Sequence, residues 1–275
     1  MIGQLNMSGL DKVETAIKRL QTFEPPEGYY LAFSGGKDSV VIKALADMAG
    51  VKYDSHYSLT SVDPPELVKF IKDFHSDVEI EKPRYKDGTQ ITMWNLIPKN
   101  KMPPTRFARY CCDKLKEGGG EGRFVVTGVR WAESARRANS RAGLELSNGT
   151  KTGYRDRVDP DNPDNEKMAR FCPTKGKHIL NPIIDWEDGD VWEFIHKYDV
   201  PYCSLYDQGH TRLGCIGCPL TSSSTQAEAL ERYPAFKRAY LRAFGKMLEE
   251  RIKDGKPTKW KRAEDVMDWW IGDKA

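Results

Sequence analysis

No apolar run in the 275 residues approaches the ~20 that a helix needs to cross a bilayer, so no membrane partner is expected. Met1 to Met7 show no basic stretch followed by an apolar core; no signal peptide is expected, and a cytoplasmic location follows by default. Charge of one sign is missing too. The chain has 43 Lys and Arg against 40 Asp and Glu, and a net +3 does not by itself argue for nucleic acid. The pattern G-x-x-x-x-G-K-[ST] is absent, which excludes a Walker A loop. Cysteine is sparse, with six residues and none after Cys218. What is left is a highly charged globular chain, long enough for one large α/β domain or a domain with an appendage.

One stretch carries concentrated chemistry. Tyr29-Tyr30-Leu31-Ala32-Phe33 reads as a buried strand. Val40, Val41, Ala44, Leu45 and Met48 recur at helical spacing beyond it, with Gly50 suited to a C-cap. Between them lies Ser34-Gly35-Gly36-Lys37-Asp38-Ser39. Strand, glycine turn and helix aim backbone N–H groups and a helix N-terminus at an anion. Gly35 and Gly36 let phosphate oxygens approach the main chain. Ser34 and Ser39 add hydroxyls and Lys37 adds charge; Asp38, which would repel bare phosphate, suits a magnesium ion. The plain alternative is an ordinary glycine-rich turn.

An amphipathic helix is predicted over 8–22, and strands over 51–57, 78–80, 124–127 and 178–186. Alternation with helices argues for an α/β fold with a parallel, doubly wound sheet, whose ligands sit beyond the carboxyl ends of the strands. Asp63-Pro64-Pro65-Glu66 opens a helix with Asp63 as its N-cap. Ser34–Ser39, Ser58–Asp63 and Gly128–Arg130 are then expected on one rim. Ser58 and Thr60 would line the adenosine site, and Gly128 would admit a ligand closely. Arg130 would meet phosphate through its guanidinium. Residues 142–176 are polar and rich in Gly, Asn, Asp and Pro, and read as a mobile insertion without core elements. The division expected is a nucleotide-binding domain over 1–200 and a helical region over 201–275. Arg251, Lys253, Lys256, Lys259, Lys261 and Arg262 around Trp260 suggest a nucleic-acid surface, countered by Glu249, Glu250 and Asp254.

Cys215-Ile216-Gly217-Cys218-Pro219 is a tight C-x-x-C turn, and Cys111-Cys112 supplies two more thiols. In a reducing compartment such clusters point to metal or redox chemistry before disulfides. Four thiolates meet the needs of a [4Fe–4S] cluster or of structural zinc. Adjacent cysteines fit zinc knuckles poorly, and a redox pair stays open. Cys172 and Cys203 carry no assigned role, although Cys172 could hold a persulfide.

Four separated stretches resemble one family. Ser34–Ser39 is similar to the SGGxDS pyrophosphate loop of the N-type ATP pyrophosphatases, which share the adenine nucleotide alpha-hydrolase-like fold with the phosphoadenosine phosphosulfate (PAPS) reductases. Gly128-Val129-Arg130-Trp131-Ala132-Glu133-Ser134 with Arg137 resembles the family's G-[IV]-R-x-x-E-S-x-x-R signature. Asn181 to Pro219 resembles its segment leading to C-x-x-C. The pair Cys-Cys with Cys-x-x-Cys resembles the [4Fe–4S] set of assimilatory adenylylsulfate (APS) reductases and of the ATP pyrophosphatase of DNA phosphorothioation systems. The resemblance implies ATP and Mg2+ at Ser34, Gly35, Gly36, Lys37, Asp38, Ser39, Ser58, Thr60, Gly128, Arg130 and Arg137. Lys37, Asp38 and Arg130 would be catalytic, and Cys111, Cys112, Cys215 and Cys218 would hold a [4Fe–4S] cluster. An intact loop implies cleavage of ATP to AMP and pyrophosphate. The sulfonucleotide reductases instead need a cysteine in a C-terminal E-C-G-[IL]-H motif, which this sequence lacks. The expectation is therefore an enzyme that adenylates a substrate for sulfur transfer. A nucleic-acid acceptor is expected, with a cysteine desulfurase as sulfur donor, and homodimerisation is left open. The rivals are an APS or PAPS reductase using an external thiol, and a non-catalytic nucleotide- and cluster-binding sensor.

Overall fold

The computed structural model describes residues 1–3, 9–147, 155–162, 165, 177–256 and 258–272. The chain forms two compact units. The first comprises Met1–Tyr57, Glu66–Ile80 and Gly119–Arg212; the second comprises Ser58–Pro65, Glu81–Gly118 and Leu213–Ala275.

A seven-stranded sheet organises the first unit. Its strands are β1 (Tyr29–Ala32), β2 (Tyr53–Ser58), β3 (Glu79–Glu81), β4 (Phe124–Val126), β5 (Leu144–Ser147), β6 (Arg155–Val158) and β7 (His178–Leu180). Their spatial order is β3-β2-β1-β4-β7-β5-β6. β1 pairs in parallel with β2 and β4, and β4 with β7, so the predicted parallel core is present. Helices α1 (Lys12–Thr22), α2 (Lys37–Ala49), α3 (Pro65–Phe74), α6 (Ala135–Ser140) and α7 (Asp188–Lys197) accompany it. The order reverses at β1, which has β2 on one side and β4 on the other. Such a reversal leaves a crevice where ligands bind in open α/β sheets.

Local chemistry accounts for the boundaries. Asp11 caps α1 by accepting from the Glu14 N–H at 2.8 Å, and the Glu14 carboxylate returns a bond to the Asp11 N–H at 2.9 Å. The helix therefore starts at Lys12, within the range predicted. Gly50 ends α2 in the left-handed conformation at φ 67°, as its C-cap position predicts.

Three expectations are corrected. Residues 144–147 and 155–158, placed by composition in a mobile insertion, are strands: β5 runs antiparallel to both β6 and β7 and extends the sheet. Leu144 and Leu146 of β5 and Val158 of β6 are buried, an apolar content that the polar residues around them obscured. Lys151 and Cys172 of that segment lie outside the described residues. The strand predicted over 178–186 stops at Leu180, after which the chain turns, with the Ile184 N–H bonded to the Asn181 carbonyl. Asp63 turns its carboxylate to the Thr60 N–H at 2.7 Å, closing the turn ahead of α3.

The second unit has its own apolar core. Helices α4 (Met93–Asn100), α5 (Tyr110–Leu115), α8 (Ser223–Arg232), α9 (Pro234–Lys253) and α10 (Ala263–Ile271) build it. Leu96, Ile97, Leu230, Phe244, Met247, Val266 and Trp270 are among its buried residues. The aromatics of the C-terminal helices thus fill a core, Trp270 being 1% exposed and its indole N–H bonded to the Pro104 carbonyl at 2.7 Å. Pro234 separates α8 from α9, where it occupies the first helical turn.

Candidate functional site

The crevice of the first unit is formed by the turn between β1 and α2. Gly35 takes φ 72°, and an added Cβ would lie 2.6 Å from Leu67 Cδ1, so glycine is required for both conformation and space. Gly36 is the N-cap of α2 and offers no side-chain cap. Ser34 Oγ accepts from the Gly36 N–H at 3.4 Å and lies 3.2 Å from Ser39 Oγ, which donates to the Gly36 carbonyl at 2.8 Å. Among the described residues, the N–H groups of Gly35 and Asp38 have no protein acceptor. Two unused donors at the start of a thirteen-residue helix suit an anion.

Lys37 and Asp38 leave that turn in different directions. Lys37 is 6% exposed, and its ammonium reaches the Thr211 carbonyl at 3.3 Å, Asp188 at 3.6 Å and Asp38 at 3.8 Å. Asp38 Oδ1 accepts from Arg130 Nε at 2.7 Å. The second oxygen of Asp38 has only the distant Lys37 ammonium, so it is a group that could take a divalent cation.

Gly128 and Arg130 arrive from the end of β4. A Cβ on Gly128 would lie 3.0 Å from the Asp38 backbone and Cβ, so this glycine admits the β1–α2 turn itself and not a ligand. Arg130 is 1% exposed. Nε meets Asp38, Nη1 donates to the Trp186 carbonyl at 3.1 Å, and Nη2 meets Asp188 at 2.5 Å. Burial would lower its pKa, but the two carboxylates outweigh that and raise it. The guanidinium is therefore a fixed strut behind Asp38. Burial would likewise raise the Asp188 carboxyl, and the Arg130 hydrogen bond and Lys37 charge hold it below its usual range.

Arg137 pairs with Glu133, which also accepts from the Arg130 N–H. Its guanidinium is held below its ordinary pKa by burial and then by the positive charges of Arg212 and Arg141. Arg141 bonds Glu145, which is buried.

Tyr206 has no counterpart in the sequence reading, although it sits inside the family-like segment. Its phenol oxygen accepts from the Lys37 N–H at 2.9 Å, and Trp192 packs edge-on against its ring at 5.2 Å. Asp188 and Arg212 were missed for a related reason: their partners lie more than fifty residues away.

The second unit holds a group of thiols. Cys111 and Cys112 lie on α5, and Cys215 and Cys218 flank a turn closed by the Cys218 N–H to the Cys215 carbonyl at 3.2 Å. That turn is pinned by the Ile216 N–H to Val62 at 2.7 Å, by Tyr240 to the Ile216 carbonyl at 3.0 Å, and by Gln226 to the Gly217 carbonyl at 3.2 Å. The thiols share one electrostatic environment. The hydrogen bond between Cys111 and Cys112 raises the pKa of the first and lowers that of the second, where Arg109 adds to the effect. The charges of Cys215 and Cys218 add to the rise at Cys111. Burial raises Cys218. The Lys116 ammonium is held protonated chiefly by the charge of Cys215. Among the described residues, no three His, Cys, Asp or Glu side chains stand close enough to share a single metal ion. Thr60 belongs to this neighbourhood: its hydroxyl lies 3.7 Å from Cys215 Sγ and accepts from the Val62 N–H. Ser58 closes β2 and bonds Glu81 at 3.3 Å. Cys203 is fully buried in the first unit.

The family described as the phosphoadenosine phosphosulfate reductase domain matches residues 28–221. An adenosine 5'-phosphosulfate reductase of Salinibacter ruber is 36% identical over 163 residues, covering 58% of this chain and 49% of the relative. An uncharacterized protein of Methanocaldococcus jannaschii is 27% identical over 208 residues, covering 74% of this chain and 44% of the relative. The chain thus spans less than half the length of these curated relatives. Among solved structures, a phosphoadenylyl-sulfate reductase from Candida auris in complex with phosphate is 16% identical, with a TM-score of 0.49 over 77% of this chain and 96% of the other.

Proposed function

Because this chain belongs to the phosphoadenosine phosphosulfate reductase domain family, we propose that it is the family's ATP pyrophosphatase type, activating an acceptor for sulfur transfer. An acceptor oxygen attacks the α-phosphorus of ATP; the bond to the bridging oxygen breaks, and pyrophosphate leaves. A sulfur nucleophile, supplied by a cysteine desulfurase partner, then displaces AMP from the adenylated acceptor. The acceptor is a nucleic acid.

The observation that carries the reading is the pair of unused N–H donors at Gly35 and Asp38, flanked by Ser34, Lys37 and Ser39. Several donors facing one turn suit a pyrophosphate, whose leaving charge they stabilise without reorganising. Lys37 and Arg137 add positive charge there. Arg130 orients Asp38, and the free Asp38 oxygen would hold magnesium. The Cys111, Cys112, Cys215 and Cys218 thiols fit a [4Fe–4S] cluster as donors. They comprise four sulfurs in one unit, pinned by backbone bonds and answered by the Lys116 cation. When bound, such a cluster would supply an electron-rich sulfur-ligated centre; Cys111, Cys112, Cys215 and Cys218 would hold it, with Lys116 beside them.

The similarity to adenosine 5'-phosphosulfate reductase makes sulfonucleotide reduction the rival. Anaerobic product analysis with ATP, APS and PAPS in parallel tests the two. AMP and pyrophosphate from ATP are expected. Sulfite from APS or PAPS at enzymatic rates, with ATP left intact, gives the reductase reading instead.

A further inference from the structure

Four of the six basic residues around Trp260 are tied up within the fold. Lys253 pairs with Glu250, Lys256 with Asp254 and Arg262 with Asp265, while Arg251 donates to the Lys101 carbonyl. Trp260 itself packs on Trp269 at 4.9 Å. A different row is unpaired. Arg238, Arg242 and Lys246 follow one another at i, i+4 and i+8 on α9 and are exposed; among the described residues none has a carboxylate or any other hydrogen-bonding partner. Arg242 and Lys246 border a cavity of about 250 Å3 lined also by Trp94, Ala239 and Ala243. The Trp94 ring is set in place by Tyr240, edge-on at 5.1 Å, and Phe236, tilted at 6.4 Å. Alanine at 239 and 243 keeps the space before it open.

We propose that this hollow is a binding site for single-stranded nucleic acid, taking one base against Trp94 and the flanking phosphates along Arg242, Lys246 and Arg238. A fixed indole offers a stacking face that any base can use, and unpaired cations on either side follow a phosphate backbone. An acidic protein would satisfy the cations but leave the hollow unfilled. A duplex, with its bases stacked inside, could not offer one to Trp94. The inference deepens the nucleic-acid acceptor of the proposed function and rests on it for the class of ligand alone.

The test uses the full chain without ATP and the fluorescence anisotropy of a labelled single strand of about twelve nucleotides, within the usual span of such sites. The double variant Arg242→Gln/Lys246→Gln should weaken binding and flatten the slope of log K against log salt by about 1.4, roughly 0.7 for each lost phosphate contact. Trp94→Leu should weaken binding about tenfold with the slope unchanged, as loss of one stacked base does. Ala239→Leu, which fills the hollow and spares both the indole's packing and the charges, should act like Trp94→Leu. A double variant that binds as wild type does overturns the proposal, as does a blunt duplex that binds as tightly as the single strand. So does inorganic polyphosphate competing charge for charge while Trp94→Leu and Ala239→Leu have no effect, which leaves a plain cationic stripe. Pyrophosphate release measured on the same preparations separates the two readings. Release without strand binding defeats this inference alone, and strand binding without release defeats the ATP reading alone.

Discussion

The phenol oxygen of Tyr206 accepts a hydrogen bond of 2.9 Å from the backbone N–H of Lys37, the first residue of the helix that follows the phosphate turn. A phosphate oxygen bound at the turn would claim the same donor, because first-turn N–H groups have no partner inside the helix. On the proposed reading the phenol stands where the anion would bind. Tyr206→Phe removes a neutral hydrogen bond worth ~1 kcal/mol net, so ATP should bind about fivefold tighter by calorimetry. Weaker binding would mean that the hydroxyl stays and donates to the phosphate.

Gly128 is the point at which the β4 turn touches the phosphate turn. A Cβ there meets main-chain atoms of Asp38 at 3.0 Å, which cannot rotate away. Gly128→Ala should cost about 1–3 kcal/mol, the usual range for overpacking, and weaken ATP binding through the displaced turn. Denaturant melts and calorimetry on the same variant read both effects. Iron content after anaerobic purification should not change, because the thiols belong to the other unit.

Arg130 bridges Asp38, Asp188 and the Trp186 carbonyl while almost wholly buried. Lysine has one donor centre and cannot reproduce this fork. Arg130→Ala should destabilise by about 3 kcal/mol, the low end for breaking a buried pair, since Asp188 is largely exposed. Arg130→Lys should fold better than Arg130→Ala and still lose most pyrophosphate release, because Asp38 is no longer aimed. Full activity in Arg130→Lys would refute the positioning role.

Each of Cys111→Ser, Cys112→Ser, Cys215→Ser and Cys218→Ser should lose the iron that the unaltered chain carries after anaerobic purification, about four per chain if the cluster is a cubane. Cys203→Ser is the control. That thiol is buried in the first unit and should leave iron unchanged. Stoichiometric zinc with no iron would assign the thiols to a structural site.

Acid stability should depend on Asp190, which is 1% exposed. Burial alone would raise its carboxyl; the hydrogen bonds from Lys12 and the Glu187 N–H outweigh burial and hold it below the ordinary 3.8. Folding thus favours the ionised form. The contribution is full above about pH 4 and is lost as pH falls through the lower folded value. Asp190→Asn should lower stability at neutral pH and flatten the acid limb of a melting-temperature profile.

The sequence by itself determined what depends on neighbours along the chain. Ser34–Ser39 is a strand–turn–helix with glycine at the one position of positive φ because the strand, the turn and the helix are each encoded locally. The parallel order of β1, β2 and β4 follows from strands alternating with helices. The C-x-x-C turn and the helix boundary at Gly50 were legible for the same reason. Only the tertiary structure decided what lies opposite. Tyr206 on the Lys37 N–H, Arg130 between Asp38 and Asp188, and Thr60 beside Cys215 join residues 169, 92, 58 and 155 positions apart. No local pattern encodes such partners. The strands at 144–147 and 155–158 were hidden because a short edge hairpin with polar outward residues has the composition of a loop until its partner strand is known. Near Trp260 the acidic neighbours that countered the basic stretch in the sequence are its partners, Glu250 for Lys253 and Asp254 for Lys256, because these pairs lie within one helical turn of each other along the chain.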